Sequence, residues 1–365
     1  MVRVSVRNVW SIKEDASRLW GFFFTSFFLS ITISVMRKIF TALARSLSTR
    51  RGKVVAGAIL IVIVVAGIGV AQTVSTKVNA ADPNSGTKIS AAKLAKIVAE
   101  NKEKYYPKTD WLARNPQTLA VSSKSAIILD YDTRQVLLDN NMHAQLPPAS
   151  ITKVLTAVVA LENFKTDKLC TVSQEAADTE PFKIVMNAGE KLTVEDLIYG
   201  MMMISANDAA EVIAECDPGG KVAFMAKMNE KVKELGLTDS NFVTPNGLDD
   251  PKHYSSAFDM ATITEYAIKT QPDFLKYMGR VDDYSVAATD HNEPHSYYQL
   301  STLIKTYPGM EGAKTGFTYE AGNTYIGVAK RDGRRVIIVY FNANSKTYDA
   351  TTMLEQGFFL NPSVN

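Results

Sequence analysis

"PPASITKVLTAVVAL", residues 147–161, decides how the chain is read. From Val154 to Leu161 every residue is apolar or a small Thr or Ala, the composition of a helix buried all round. Lys153 interrupts that pattern in the first turn, and Ser150, three residues earlier, shares its helical face. A serine hydroxyl is a poor nucleophile without a base. A lysine of ordinary pKa, about 10.4, is neutral in only about one molecule in 2,500 at pH 7. Packing it against an apolar helix disfavours its charge and lowers such a pKa by up to ~3–5 units. The positive end of the helix dipole acts in the same direction. Ser150 and Lys153 can therefore pair a nucleophile with its base, although Ser-x-x-Lys equally describes a lysine that snorkels to solvent.

Outward from that helix, the chain alternates strand and helix signals. "SAIILDYDTRQVLLDNN" (125–141) is two apolar runs around an Asp-Thr-Arg turn and predicts a β-hairpin. "TVEDLIYGMMMISANDAAEVIAECDPGG" (193–220) predicts two helices parted near "SAN", and "KVAFMAKMNEKVKELGL" (221–237) a third. "NTYIGVAK" and "RRVIIVYFNA" flank "RDG" as a second hairpin, and "YDATTMLEQGFFL" closes as a helix. Strands from both ends with helices between predict an α+β fold, one antiparallel sheet flanked by helices plus a helical subdomain.

Two further motifs sit at informative places. "SAN" (205–207) falls between two helices, where a turn presents Ser205 and Asn207, residues that also serve as helix caps. "GAKTG" (312–316) precedes the second hairpin, and its glycines let another chain or ligand approach the backbone. Each motif is weak alone. Together and in this order, Ser-x-x-Lys, Ser-x-Asn and Lys-Thr-Gly form the signature of serine acyltransferases of the penicillin-binding kind.

From about residue 122 to Phe359 the sequence resembles the D-alanyl-D-alanine carboxypeptidases, the low-molecular-mass penicillin-binding proteins. The blocks "PPASITKVLTA", "SANDAAEVIAE", "LGLTDSNFVTPNGLDD", "HYSSAFDMA" and "GMEGAKTGFT" carry it. The resemblance implies a β-lactamase/transpeptidase-like fold and a set of roles. Ser150 would attack the carbonyl between the two terminal D-alanines of a peptidoglycan stem peptide, and Lys153 would take its proton. Ser205 and Lys314 would relay a proton to the departing D-alanine, and Asn207 would hold the substrate amide. Lys314, Thr315 and Gly316 would bind the terminal carboxylate, with the charge of Lys314 helping to keep Lys153 neutral. The backbone N–H groups of Ser150 and Phe317 would form the oxyanion hole. No cofactor or metal is implied; β-lactam antibiotics would acylate Ser150.

Departures accompany the likeness. The stretch after the last strand, "NANSKTYDA", offers only Lys346 where relatives often carry an arginine, and "HSYYQLSTLI" lacks their Asn-rich pattern. Class A β-lactamases share the three motifs, but the region after "SAN" holds "TPNGLDD" in place of a Pro-Glu-Leu-Asn-like block. A D,D-transpeptidase on the same acyl-enzyme, a β-lactamase and a non-catalytic wall-binding protein are the alternatives.

The 365 residues are ample for a sizeable core, and 46% hydrophobic with 21% charged residues is a globular composition. The net charge of +2 divides into +8 over residues 1–53 and −6 over the rest. A body of that sign is no nucleic-acid binder on charge grounds. The basic excess precedes Val54–Ala71, 18 residues without a charge, which reads as a transmembrane anchor with its N-terminal side in the cytoplasm. Cleavage after Ala80 is the alternative, and the protein would then be secreted. Residues 20–36 read as a second apolar span, or as sequence upstream of a true start at Met36. Residues 72–121 read as an exported linker with a short amphipathic helix, and 122–365 as the peptidase domain. The second domain and C-terminal amphipathic anchor of many relatives are not expected here, and the N-terminal helix is expected to hold the protein at the membrane.

Cys170 and Cys216 allow at most one disulfide and are expected as two unpaired thiols. "HNEPH" (291–295) does not read as a metal site, because Pro294 breaks the helix an i, i+4 His pair needs. His253 reads as structural, and "MMM" (201–203) as core.

Overall fold

The computed structural model describes residues 89–118 and 120–362. Both apolar stretches assigned to the membrane, 20–36 and 54–71, lie outside them. Among the described residues no helix is long and apolar enough to cross a membrane.

The hairpin expected at 125–141 forms as β1 (Ser125–Asp130) and β2 (Val136–Asn140). Two short ladders follow: β3 (Leu169–Thr171) with β4 (Lys191–Thr193), and β5 (Tyr284–Val286) with β6 (His295–Tyr297). The last third supplies β7 (Met310–Thr318), β8 (Gly322–Arg331) and β9 (Arg334–Ala343). The main sheet runs β2-β1-β9-β8-β7, antiparallel throughout. Its centre is the pairing of β1 with β9, where Ile127 faces Val339 and Ile128 faces Ile338, so the two ends of the domain close the sheet together. The β8–β9 turn is set by Asp332 (φ 51°) and Gly333 (φ 83°), the left-handed pair that a tight hairpin requires.

The longer helices are α1 (Ala91–Tyr105), α2 (Lys153–Asn163), α3 (Val194–Met203), α4 (Asn207–Glu215), α5 (Gly220–Glu234), α6 (Ala257–Thr270) and α7 (Lys346–Phe359). Side chains alternate across the sheet. Ile127, Leu129, Val339 and Phe341 enter one core with the helices from α2 to α6. Ala126, Ile128, Ile338 and Tyr340 enter another, under Met353 and Leu354 of α7. With both faces covered, β1 is buried at every position, which is why it reads as a continuous apolar run. Met201, Met202 and Met203 are buried in the first core.

Two expectations change. The amphipathic helix of the segment read as a linker forms as α1, but it rests on the domain rather than trailing from it. Asn101 Nδ2 donates to the Glu234 carbonyl at 2.8 Å, and the Tyr105 ring meets Tyr266 edge-on at 5.0 Å. Lys108 bridges to Gln135, and Trp111 is buried. The two cysteines are not free thiols: Cys170 and Cys216 form a disulfide with Cα atoms 5.4 Å apart. It ties β3 to the C-terminal end of α4, a proximity that the sequence separation of 46 conceals.

Candidate active site

Ser150 sits on a 3-10 turn, Ala149–Thr152, that runs directly into α2. Two contacts fix the turn from outside the helix. Thr324 Oγ1, on β8, donates to the Pro148 carbonyl at 2.8 Å. Thr152 Oγ1 and His253 Nε2 lie 2.9 Å apart, and Ala149 is held at φ 49°, a left-handed value a non-glycine residue rarely adopts. Lys153 begins α2 and is completely buried. Its ammonium nitrogen lies 2.8 Å from Ser150 Oγ, 2.8 Å from Asn207 Oδ1 and 2.6 Å from the Asn246 carbonyl. Burial, and then the charge of Lys314, push Lys153 well below the ordinary lysine range; Glu211 and Asp208 pull the other way. The base condition that the sequence pattern required is therefore met by geometry and by solvation together.

One wall of the site is the turn between α3 and α4. Ser205 is buried with φ 61°, and Asn207 is the first residue of α4. The sequence reading gave Asn207 to the substrate amide. In the structure its Nδ2 donates to the carbonyls of Glu180 and Pro181 at 3.1 and 2.9 Å, and its backbone N–H to Phe182 O at 2.7 Å. Asn207 thus joins Lys153 to the loop around 180–185.

The other wall is β7, at the edge of the sheet. Lys314, buried, donates to Ser205 Oγ at 2.9 Å and to the Thr315 carbonyl at 2.8 Å. Burial, reinforced by Lys346, pushes its pKa down to about 7. Lys346 opens α7, so the single cation found after the last strand acts on this wall. Gly316 lies so close to Ser150 that a Cβ there would stand 2.9 Å from the Ser150 amide nitrogen and 2.3 Å from Thr324 Oγ1. Phe317 follows it with an exposed ring.

Hydrogen bonds join Lys153 to Ser150 and Asn207, and separately Lys314 to Ser205, while Gly316 abuts Ser150. Thr315 is half-buried beside Lys314. Sequence reasoning gave no role to Asn246, Glu211 or Asp208. Asn246 Nδ2 donates to Glu211 Oε1 at 2.7 Å, and Lys221 pairs with the other Glu211 oxygen at 2.5 Å. The one available signal was Glu211 at i+4 from Asn207 on a predicted helix. His253 Nδ1 accepts from the backbone N–H groups of Val243 and Thr244 at 3.1 and 3.3 Å, and burial pushes its pKa down to about 4. It is neutral and donates through Nε2 to Thr152, a holding role. Of the "HNEPH" residues, His295 Nε2 lies 2.7 Å from Glu190.

The sheet, the helical subdomain and a buried lysine on a serine define the transpeptidase-like class. The solved structure of the Streptomyces K15 DD-transpeptidase has the same fold, with a TM-score of 0.63 and 25% identity over 67% of this chain and 100% of that one. A D-alanyl-D-alanine carboxypeptidase structure from Mycobacterium tuberculosis H37Rv gives a TM-score of 0.62 and 30% identity over 68% and 96%. Residues 112–345 match the family model Peptidase_S11, D-alanyl-D-alanine carboxypeptidase, and the chain belongs to that family. Among curated relatives, DacF of Bacillus subtilis is 36% identical over 250 residues, 66% of this chain and 63% of its own length. DacB2 of Mycobacterium tuberculosis is 35% identical over 249 residues, 66% and 83%. The chain thus spans 63% of the DacF it matches.

Proposed function

We propose that the protein is a serine D,D-carboxypeptidase that removes the terminal D-alanine from peptidoglycan stem peptides, held at the outer face of a bacterial membrane by its N-terminal apolar segment. One observation carries the reading: a completely buried Lys153 whose Nζ stands 2.8 Å from Ser150 Oγ. A neutral amine there takes the hydroxyl proton as Oγ bonds to the carbonyl carbon of the penultimate D-alanine. The backbone N–H groups of Ser150 and Phe317 receive the developing oxyanion; losing one such donor typically costs ~3 kcal/mol. The C–N bond then breaks, and the departing nitrogen takes its proton through Ser205 from Lys314. Water attacks the ester, its proton passing through Ser205 to restore Lys314, and Lys153 returns its proton to Ser150 Oγ as the ester C–O bond breaks.

Lys314 and Thr315, beside Gly316, bind the terminal carboxylate. Asn207 reaches the substrate amide by exchanging one of the two loop carbonyls it now holds. β-Lactams present the same carboxylate and a strained amide, so they acylate the same serine. Val54–Ala71 supports the anchor, and the sign of the preceding charge supports an extracytoplasmic site. The likeness to K15 DD-transpeptidase favours a second reading, in which an amine replaces water as acyl acceptor.

The test is an intact-mass time course with penicillin, followed by D-alanine release from an acyl-D-Ala-D-Ala peptide. One adduct on Ser150, absent in Ser150→Ala, with D-alanine release by the native chain, is expected. An adduct that persists in Ser150→Ala would sink the assignment. Product formed on an added amine in place of hydrolysis would favour the transpeptidase.

A further inference from the structure

Helix α4 carries Asn207 and Glu211 four residues apart, on one face. Asn207 Oδ1 accepts from Lys153 Nζ directly, at 2.8 Å. Glu211 reaches the same ammonium one residue removed. Its Oε1 accepts from Asn246 Nδ2 at 2.7 Å, and the Asn246 carbonyl accepts from Lys153 at 2.6 Å. Asn246 Oδ1 takes the Leu248 N–H at 2.9 Å, so the amide is held at both ends. The turn that carries Asn246 also packs on the nucleophile turn and on α2. A Cβ on Gly247 would stand 2.0 Å from the Ala149 carbonyl oxygen, and Thr156 Oγ1 donates to the Pro245 carbonyl at 2.6 Å. A shift of Asn246 therefore moves the acceptor that orients Lys153.

Holding Asn246 does not by itself require a carboxylate. Glu211 is only 4% exposed, and an amide would accept from Asn246 without the cost of a buried charge. Burial pushes the Glu211 carboxyl up, Lys221 at the start of α5 pulls it down, and Glu215 and Glu175 repel it. Around Lys153 stand Lys314 from β7, Glu211 and Asp208 from α4, and a neutral His253. Asp208 is committed to the backbone N–H groups of Ile184, Val185 and Ala209. Burial and Lys314 both drive the Lys153 amine toward neutrality, and an amine driven too far is a weak base. We infer that Glu211 is a positioning residue for the general base: through Asn246 it fixes the carbonyl that orients Lys153, and it supplies a negative charge that offsets Lys314. This role rests on the serine carboxypeptidase reading, in which Lys153 is the base.

The experiment follows the second-order rate of Ser150 acylation by penicillin against pH in the native chain, Glu211→Gln and Glu211→Asp, with Tm measured alongside. Glu211→Gln keeps an acceptor for Asn246 and removes the charge. Its acidic limb moves to lower pH by about one unit, the low end for loss of an opposite charge. Its plateau rate falls several-fold as the base weakens. Its Tm holds, since an amide of the same shape is cheaper to bury. Glu211→Asp keeps the charge and shortens the reach, so its rate falls while its acidic limb stays nearer the native one. A limb that stays in place in Glu211→Gln, or that moves as far in Glu211→Asp, overturns the role of Glu211 and leaves Lys153 as the base. A native chain that forms no adduct on Ser150 overturns both.

Discussion

Lys314 Nζ stands 2.9 Å from Ser205 Oγ, and both groups are buried between β7 and the α3–α4 turn. On the proposed mechanism, activity depends on two lysines in opposite charge states. Lys153 must be neutral to take the Ser150 proton, so activity is lost as pH falls through its lowered pKa. Lys314 must be charged to hold a carboxylate, and its pKa in the free protein is pushed down to about 7. The second-order rate of acylation by a β-lactam is therefore expected to fall as pH rises above about 7, giving a bell. Lys346 contributes to the lowering of Lys314 by repulsion. Lys346→Gln removes that repulsion, so Lys314 keeps its proton to higher pH and the alkaline limb moves up. A limb that stays in place or moves down would show that Lys314 is not the titrating group.

Much of this is legible in the amino-acid sequence. The two hairpins follow from apolar runs around short polar turns, and α2 from the composition of a helix buried all round. Ser150, Lys153, Ser205 and Lys314 come from three spaced motifs. What stayed hidden depends on contacts between distant segments. Asn246 touches Lys153 across 93 residues and Glu211 across 35, and nothing in "TPNGLDD" marks its amide as a site group. The bonds of the Asn207 amide to the Glu180 and Pro181 carbonyls are hidden because those acceptors are backbone atoms, which no side-chain pattern reveals. The docking of α1 was hidden for a similar reason: its contacts include Tyr105 and Asn101, with the capping Tyr106, which meet residues more than a hundred positions away.

Glu265 predicts a pH dependence of stability. It is fully buried on α6, paired with Lys269, and its other oxygen has no partner. Burial pushes its pKa from 4.5 up to about 7, against the pull of Lys269. Between those values the folded chain binds more protons than the unfolded one, so this group makes stability fall as pH rises through the window. At about pH 8 the full cost is present, roughly 3 kcal/mol from the size of the shift. Glu265→Gln, neutral throughout, is expected to be more stable than the native chain at about pH 8, with the gap closing by about pH 4. Urea unfolding at the two pH values measures it, and an equal gap at both would refute the assignment.

The Cys170–Cys216 disulfide encloses the loop around 180–185, α3, and both Ser205 and Asn207. Cross-linking across 46 positions restricts the unfolded chain and is worth roughly 2–4 kcal/mol. Cys170→Ala/Cys216→Ala is expected to lower Tm by several degrees in oxidising buffer and to become insensitive to reductant. The native chain in reductant should approach the same Tm. A native Tm that reductant leaves unchanged, with thiols shown to be free, would mean that packing of β3 on α4 holds this region without the bond.

Gly316 gives a prediction that separates fold from chemistry. A Cβ on it would meet Thr324 Oγ1 at 2.3 Å, the Ser150 amide nitrogen at 2.9 Å and the Ala149 Cβ at 3.2 Å. All three belong to the nucleophile turn or to the hydroxyl that pins it, so relief requires β7 and that turn to part. Parting moves the Ser150 N–H away from its expected oxyanion partner on Phe317, and loss of one such donor costs about 10²–10³ in rate. Gly316→Ala should therefore slow acylation about a hundredfold. Gly333 is the control: it turns the β8–β9 hairpin at φ 83°, and a Cβ there meets nothing within 4 Å. Gly333→Ala carries only backbone strain, so it should lower Tm and leave the acylation rate alone. Equal effects of the two substitutions on acylation would show that the Gly316 defect is general loosening of the sheet. A Gly316→Ala chain that acylates at the native rate would remove the oxyanion hole from this edge of the site.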